Sequence, residues 1–249
     1  MLWAVKRTFR MEPEDFDSEF RRWLRKKYLP ELLRTGEPGD FGRIFRVKDE
    51  GRTYETSPAA SPSGDLVAAI STLKDDTDVV LFDARKRILL RNLTEGFSNQ
   101  YQYLAVQEQQ LGRQNGRDLS FSPDGNYLAV FAKRERGRSL LLIDVLNGGV
   151  KRIVDMVDID QQLAPAWSPD GKHIAFSGNR NGQFDLFILD VDTLDITNLT
   201  HDEIYDGAPA YSPDGRSLAF ISVVGANGRA KIFRIDLDNP ASRAQITTG

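Results

Sequence analysis

The sequence contains no cysteine and only two histidines, His173 and His201, among its 249 residues. Without cysteine, disulfides and thiolate-bound metals are excluded, although this absence does not decide the cellular compartment. The two isolated histidines match neither a zinc-binding spacing nor a nucleophile–base pattern, and there is no phosphate-binding loop or Gly-x-Ser-x-Gly motif. We therefore predict no catalytic residue, no metal ligand and no cofactor-binding residue in this chain.

Long apolar runs and an excess of charge are also missing. No stretch is long enough to cross a membrane as a helix, and the first ten residues lack the apolar core of a signal peptide. Lys and Arg number 33 against 36 Asp and Glu, for a formal net charge of −3. The concentrated basic surface of a nucleic-acid-binding protein is therefore not expected. Any export signal would lie upstream of this chain.

What the sequence does contain is a repeat. The segment 164–176 returns at 208–220, occurs earlier at 120–130, and has a degenerate copy at 59–69. Each full copy has a large ring followed by Ser-Pro-Asp-Gly and then a short apolar segment. Proline presets φ and glycine adopts positive φ, which is typical of a tight turn between two antiparallel strands.

Other features recur at fixed distances from the turn. The rings Phe121, Trp167 and Tyr211 precede the serine, and we interpret them as core residues rather than ligand contacts. A small residue recurs seven positions after the serine, which indicates a crowded point; these residues are Ala68, Ala129, Ala175 and Ala219.

Two further strands complete each copy. A short apolar run predicts a third strand buried on both faces; the runs are 79–82, 140–143, 186–189 and 232–235. Each run ends in an aspartate that we expect to begin a turn, namely Asp83, Asp144, Asp190 and Asp236. Fourth strands are predicted at 93–94, 153–154, 199–200 and 246–247. Four antiparallel strands with a period of about 45 residues are typical of a β-propeller blade.

The segment from Ala166 to Phe176, together with 179–182, 185–190 and 198–200, resembles the TolB-like β-propeller repeat. The resemblance covers 57–249 and implies an all-β fold of four four-stranded repeats, at about 55–97, 117–157, 163–202 and 207–249. Ser63 and Ala60 depart from the pattern, which makes the first repeat atypical. Proteins of this family are mostly periplasmic or extracytoplasmic bacterial proteins, and the repeat itself carries no chemistry.

Residues 1–40 form a helical lead-in, and the propeller region spans 41–249. Five apolar residues share one helix face: Phe16, Phe20, Trp23, Leu24 and Tyr28. The basic residues between 21 and 27 are either the solvated face of this helix or an anion or membrane-surface site. The segment 14–30 resembles the closing helices of a zinc-peptidase-like domain. Because no histidine precedes His173, no catalytic residue is carried over.

Two segments lie outside the repeat. The segment 41–47 has strand alternation, and is either an outer strand that closes the ring or a linker. An insertion at about 98–115, between the first two blades, contains the partner-binding candidates Tyr101, Tyr103 and Gln107. Loops of this length often bind something, although simple decoration is the alternative.

These features favour a non-catalytic propeller segment that binds a protein or peptide partner in the bacterial cell envelope. The alternative is the propeller portion of a larger hydrolase. Its active centre would then lie upstream, in a zinc-peptidase-like domain, or downstream, in a prolyl-oligopeptidase-like domain, so whether the parent protein is an enzyme stays open. We also expect the chain to be a fragment that forms an open arc, with exposed apolar faces on its first and last blades that promote self-association.

Overall fold

The structure is a computed structural model that describes residues 2–36, 55–71, 77–95, 102–103, 118–134, 137–224 and 228–247. The chain divides into two compact units, Met1–Arg46 and Val47–Gly249. The first contains two helices, and the second contains strands arranged in four sheets.

The first unit consists of helices α1 (Leu2–Phe9) and α2 (Pro13–Thr35). Proline at the first position of α2 and acidic residues in its first turn are favourable at a helix N-terminus. The helix runs through Pro30 without restarting and ends before Gly36, whose φ of 80° suits a position just past the C-terminus. Neither described helix is long and apolar enough to span a bilayer.

A series of aromatic rings follows the predicted face of α2. Phe16 lies 4.8 Å from Phe9 and 5.9 Å from Phe20, measured between ring centroids. Trp23 continues the series at 6.0 Å from Phe20 and keeps half of its surface exposed. The predicted helical stripe is therefore present, but its side chains remain partly exposed to solvent in this unit.

The described residues of the second unit form seventeen strands. They are β1 (Glu55–Ala60), β2 (Leu66–Ser71), β3 (Asp78–Asp83), β4 (Ile88–Asn92), β5 (Gln102–Tyr103), β6 (Leu119–Phe121), β7 (Tyr127–Arg134), β8 (Gly137–Asp144), β9 (Val150–Asp155), β10 (Gln161–Trp167), β11 (His173–Arg180), β12 (Gln183–Asp190), β13 (Ile196–Asn198), β14 (Tyr205–Tyr211), β15 (Ser217–Val224), β16 (Arg229–Asp236) and β17 (Asn239–Gln245).

These strands form four antiparallel sheets, which we call blades 1 to 4. Blade 1 contains β1–β4, blade 2 contains β5–β9, blade 3 contains β10–β13 and blade 4 contains β14–β17. In blades 1, 3 and 4 the strands pair in chain order, from an inner first strand to an outer last strand, whereas blade 2 has the order β5-β7-β8-β9 with β6 also paired to β7. The predicted four-blade, all-β architecture of an incomplete propeller is confirmed.

The inner edge of blade 2 includes two residues of the predicted insertion. Both β5 and β6 pair with β7, with Tyr103 opposite Ala132 and Leu119 opposite Val130. Residues 102–103 therefore belong to blade 2, whereas the rest of the predicted insertion lies outside the described residues. Local sequence cannot show this because the two pieces are joined only by their common partner. Tyr101 and Gln107 lie outside the described residues, as does the segment 41–47.

The fourth strands also differ from prediction, except in blade 2, where β9 includes 153–154. In blades 1, 3 and 4 the outer strand ends before the predicted dipeptide. Thr94 shows the reason: its hydroxyl donates to Asp78 at 2.9 Å and accepts from the Val79 N–H at 2.9 Å. The Thr94 side chain therefore makes the hydrogen bonds to the start of the third strand that the backbone of a strand residue would otherwise make.

The hydrophobic core lies between consecutive blades. Three of the four recurring alanines are fully buried: Ala68, Ala129 and Ala175. The ring before each turn packs against the core between its own blade and the preceding one, with Phe121 against blade 1, Trp167 against blade 2 and Tyr211 against blade 3. The interpretation of these rings as packing residues between blades is confirmed.

The turns themselves also stack from blade to blade. The glycine of the turn has a φ near +74° in every blade, a value that favours glycine. A Cβ placed on Gly171 would lie 3.8 Å from the Pro123 ring, and one on Gly215 would lie 3.6 Å from Pro169. The proline of each turn therefore lies against the glycine of the next one.

The two end blades behave differently. Val79, Leu140 and Leu186 occupy one position of the third strand and are fully buried, whereas Ile232 at the same position in blade 4 is 43% exposed. The predicted open apolar face is thus present on the last blade. The prediction is wrong for blade 1, whose outward-facing cluster is buried in the folded chain; this cluster is Ala69, Val80 and Phe82.

Candidate functional site

One end of the propeller unit carries the Ser-Pro-Asp-Gly turns, and hydrogen bonds hold each of them in place. The Ser168 hydroxyl donates to Asp170 at 2.5 Å and accepts from the backbone N–H of His173 at 2.9 Å. The same arrangement recurs in blades 2 and 4. The serine hydroxyl and then the backbone N–H of Lys172 hold the pKa of Asp170 below its ordinary value, so this carboxylate is ionised at neutral pH.

The aspartates after the third strands begin turns, as predicted. Asp83, Asp144 and Asp190 each accept backbone N–H groups two or three residues onward, which is the geometry of a turn-initiating aspartate. Asp236 begins a two-residue turn that leads to its pairing partner Asn239, and its side chain pairs with Arg234 at 2.7 Å. Among the described residues no group of three side chains is arranged to hold a metal ion.

A cleft of about 320 Å³ opens where the turns of blades 2, 3 and 4 meet, and we call it the central cleft. Each of these blades contributes the same two positions, a ring and a turn proline; the six residues are Phe121, Trp167, Tyr211, Pro123, Pro169 and Pro213. The Trp167 Nε1 and the Tyr211 hydroxyl are buried and have no hydrogen-bond partner in the part of the chain that is described. Burial, reinforced by the charge of Asp170, raises the pKa of Tyr211, which keeps this hydroxyl protonated.

A second cavity, of about 530 Å³, lies between blades 2 and 3 at the same end, and we call it the radial groove. It is lined at one end by the turn carboxylates Asp124 and Asp170 and at the other by Lys151 and Arg152. The Arg152 guanidinium donates to the Val191 carbonyl of blade 3. Arg91 makes the equivalent bond from blade 1 to the Leu146 carbonyl of blade 2, at 2.6 Å.

Of the three predicted binding residues, Tyr103 lies in the described part of the chain, where its backbone pairs with Ala132 of β7. Tyr101 and Gln107 lie outside the described residues. Sequence reasoning assigned the rings to the core and the prolines to the turns, and therefore missed their second role as cleft-lining residues. The repeat itself could have indicated this cleft-lining role, because a position repeated in every blade is brought to the same end of a propeller.

Comparisons with known proteins agree with this architecture. The TolB beta propeller domain family matches residues 118–249, more than half of the sequence, and the chain therefore belongs to that family. A curated protein of Agrobacterium fabrum, described as uncharacterized, is 36% identical over 86 residues, which are 34% of this chain and 29% of that protein.

Solved structures show the same fold at low sequence identity. TolB from Acinetobacter baumannii is similar with a TM-score of 0.62 at 18% identity, covering 79% of this chain and 44% of that one. A putative TolB from Agrobacterium tumefaciens has a TM-score of 0.59 at 19% identity, covering 76% and 63%. A puromycin-hydrolyzing peptidase of Mycobacterium tuberculosis has a TM-score of 0.54 at 17% identity, covering 78% and 29%. The chain spans less than two thirds of each of these relatives.

Proposed function

We propose that this chain is a non-catalytic propeller module that binds a protein or peptide segment at the central cleft, in the envelope of a bacterial cell. The observation that carries the proposal is the convergence of three equivalent ring and proline pairs on one cavity. A concave cavity that combines apolar surface with a few polar groups is the usual form of a binding site. The similarity to TolB proteins supports the proposed envelope location.

The second candidate function is the propeller portion of a larger peptidase. It is favoured by the similarity to the puromycin-hydrolyzing peptidase and to prolyl endopeptidases. In that case the active centre would belong to another domain, and the propeller would position peptide substrates for it. Both candidates assign binding, and not bond cleavage, to the residues of this chain.

We expect the purified chain to show no hydrolase activity towards fluorogenic peptide and ester substrates. The reason is that its two histidines lie apart: His173 is 3.7 Å from Asp190 at the surface, and His201 contacts Asn198. Neither forms a nucleophile–base pair in the described residues. Robust turnover that survived replacement of both histidines would contradict this reading of the chain.

Peptide binding at the central cleft can be tested with two matched variants. Peptides selected from a random display library on the intact chain should lose at least tenfold in affinity for Pro169→Arg, because the new side chain enters the cleft. Pro62→Arg is the control, because Pro62 also lies against the glycine of the next turn but does not line the cleft. Equal affinity for both variants, or failure to select any peptide, would contradict the proposal.

A further inference from the structure

We propose that the radial groove is a second binding site, specific for a short extended peptide with free termini. The peptide's amino group would lie at Asp124 and Asp170, and its terminal carboxylate at Lys151 and Arg152. This inference goes beyond the proposed function, because it concerns a different cavity and a ligand recognised by its two terminal charges.

The inner end of the groove is negative. Asp124 and Asp170 lie in the turns that follow the inner strands β6 and β10, and both line the cavity. In Asp170 the bonds to the turn use Oδ1 only, so Oδ2 is available to a ligand. The turn bonds also hold both carboxylates in position, so little ordering is needed when an amino group binds.

The outer end of the groove is positive. Lys151 and Arg152 lie on β9, the outermost strand of blade 2. Lys151 is exposed, and its charge contributes to the lowered pKa of Asp144 without forming a salt bridge within the described ranges. Arg152 is fixed by its bond to the Val191 carbonyl. Since three strand spacings separate β6 from β9, the two ends lie about 14 Å apart.

Between the two ends the groove is apolar. Leu142 is buried at its base, and the Trp167 ring and Val191 contribute from blade 3. The Trp167 Nε1 is a buried donor without a partner among the described residues, and Trp167 lines both this groove and the central cleft. An extended peptide spans about 3.3–3.6 Å per residue, so three or four residues match the distance between the ends.

Each neighbouring interface lacks at least one charge of this arrangement. In the turn of blade 1, Ser63 replaces the aspartate, so the interface between blades 1 and 2 has only one of the two carboxylates. In blade 3, Thr197 lies opposite Ile188, which corresponds to Arg152 opposite Leu142 in blade 2. Threonine therefore replaces the outer cation at the interface between blades 3 and 4. Both pairs of charges are thus brought together where blades 2 and 3 meet.

The test is calorimetric titration of the full chain with the tetrapeptide Ala-Leu-Leu-Ala. The form with free termini should bind, and N-acetylation or C-amidation should each weaken binding at least tenfold, because each removes one terminal charge. No binding of the free form at millimolar concentration, or equal affinity for the three forms, would overturn the proposal.

Two charge reversals locate the site. Lys151→Glu should weaken binding of the free peptide at least tenfold. Lys133→Glu should leave it unchanged, because Lys133 is an exposed residue of the same blade at the far end of β7, outside the groove. Thermal unfolding of both variants checks that they are folded, and Lys151→Ala should give the same direction. Loss of binding in Lys133→Glu, or none in Lys151→Glu, would overturn the assignment. Pro213→Arg should bind the tetrapeptide normally, because Pro213 lines the central cleft and not the radial groove, and this result separates the two sites.

Discussion

Replacing Arg243 by methionine should lower the free energy of unfolding by about 3–5 kcal/mol at neutral pH, because it leaves a buried carboxylate without its counter-ion. Arg243 lies on β17, the outer strand of blade 4, and donates to Asp206 at 2.8 Å and to Asp202 at 2.6 Å. The Asp206 side chain is fully buried. Methionine keeps much of the arginine's apolar length, so the variant isolates the loss of charge.

The environment of Arg243 makes this effect large. Its guanidinium also donates to Ser222 at 2.5 Å, and lies over the Phe220 and Phe233 rings at 5.3 and 5.0 Å from their centroids. One side chain therefore joins the outer strand, the second strand and the start of the inner strand of blade 4. Its removal affects all three, whereas an isolated surface pair joins only two exposed side chains.

The destabilisation should depend on pH. Burial raises the pKa of Asp206 above its ordinary value, and Arg243 opposes this by favouring the charged form. Without Arg243 the folded-state pKa rises further above the unfolded value of about 3.9. A carboxyl group with a raised folded-state pKa stabilises the fold when protonated, and this contribution is lost as the pH rises. The variant should therefore be closer to the parent chain at pH 4.5 than at pH 7.5.

Chemical denaturation at the two pH values measures this difference. The control is Arg234→Met in the same blade, where Arg234 pairs with Asp236 and both side chains are about half exposed. That change should cost no more than about 1 kcal/mol, as expected for a surface pair. A similar cost for both variants, or a larger cost of Arg243→Met at the lower pH, would contradict the account of a buried charge.

Replacing Trp167 by alanine should cost about 3 kcal/mol, because it removes a ring from the core between blades 2 and 3. This expected loss of stability lies at the lower end of the range for a buried tryptophan, because Trp167 is only partly buried. For a unit of about 200 residues this corresponds to a decrease in melting temperature of roughly 6–12 °C. Differential scanning calorimetry of the full chain measures it.

The control is Trp23→Ala on α2, where the ring is half exposed. This substitution should change the stability by no more than about 0.5 kcal/mol. If Trp167→Ala left the melting temperature unchanged and abolished only peptide binding, the ring would be a contact residue and its assignment to the core would be wrong.

The local elements of this fold could be predicted from sequence because neighbouring residues encode them. Pro123, Asp124 and Gly125 specify a turn by their own backbone preferences, and the short apolar run 140–143 specifies a buried strand. Repetition of this unit then specifies blades, since one such sheet cannot cover both of its apolar faces. Fold class, blade number and the packing role of Trp167 all followed from this reasoning.

Both cavities required the tertiary structure. The radial groove combines Lys151 of one blade with Asp170 of the next, and no local pattern brings two blades together at that point. The same holds for Arg243, whose partner Asp206 lies 37 residues away in sequence.

The repeat in the sequence therefore determined the blades, the turns and the rings between them, because each depends on residues within one period. Two features were decided only by long-range packing: the pairing of Tyr103 with blade 2 and the burial of Phe82 on the outward face of blade 1. Each depends on which segment lies against a sheet edge or face. Equivalent positions of a repeat have the same local sequence character whether or not a neighbour covers them, so only the folded chain shows that Phe82 is buried.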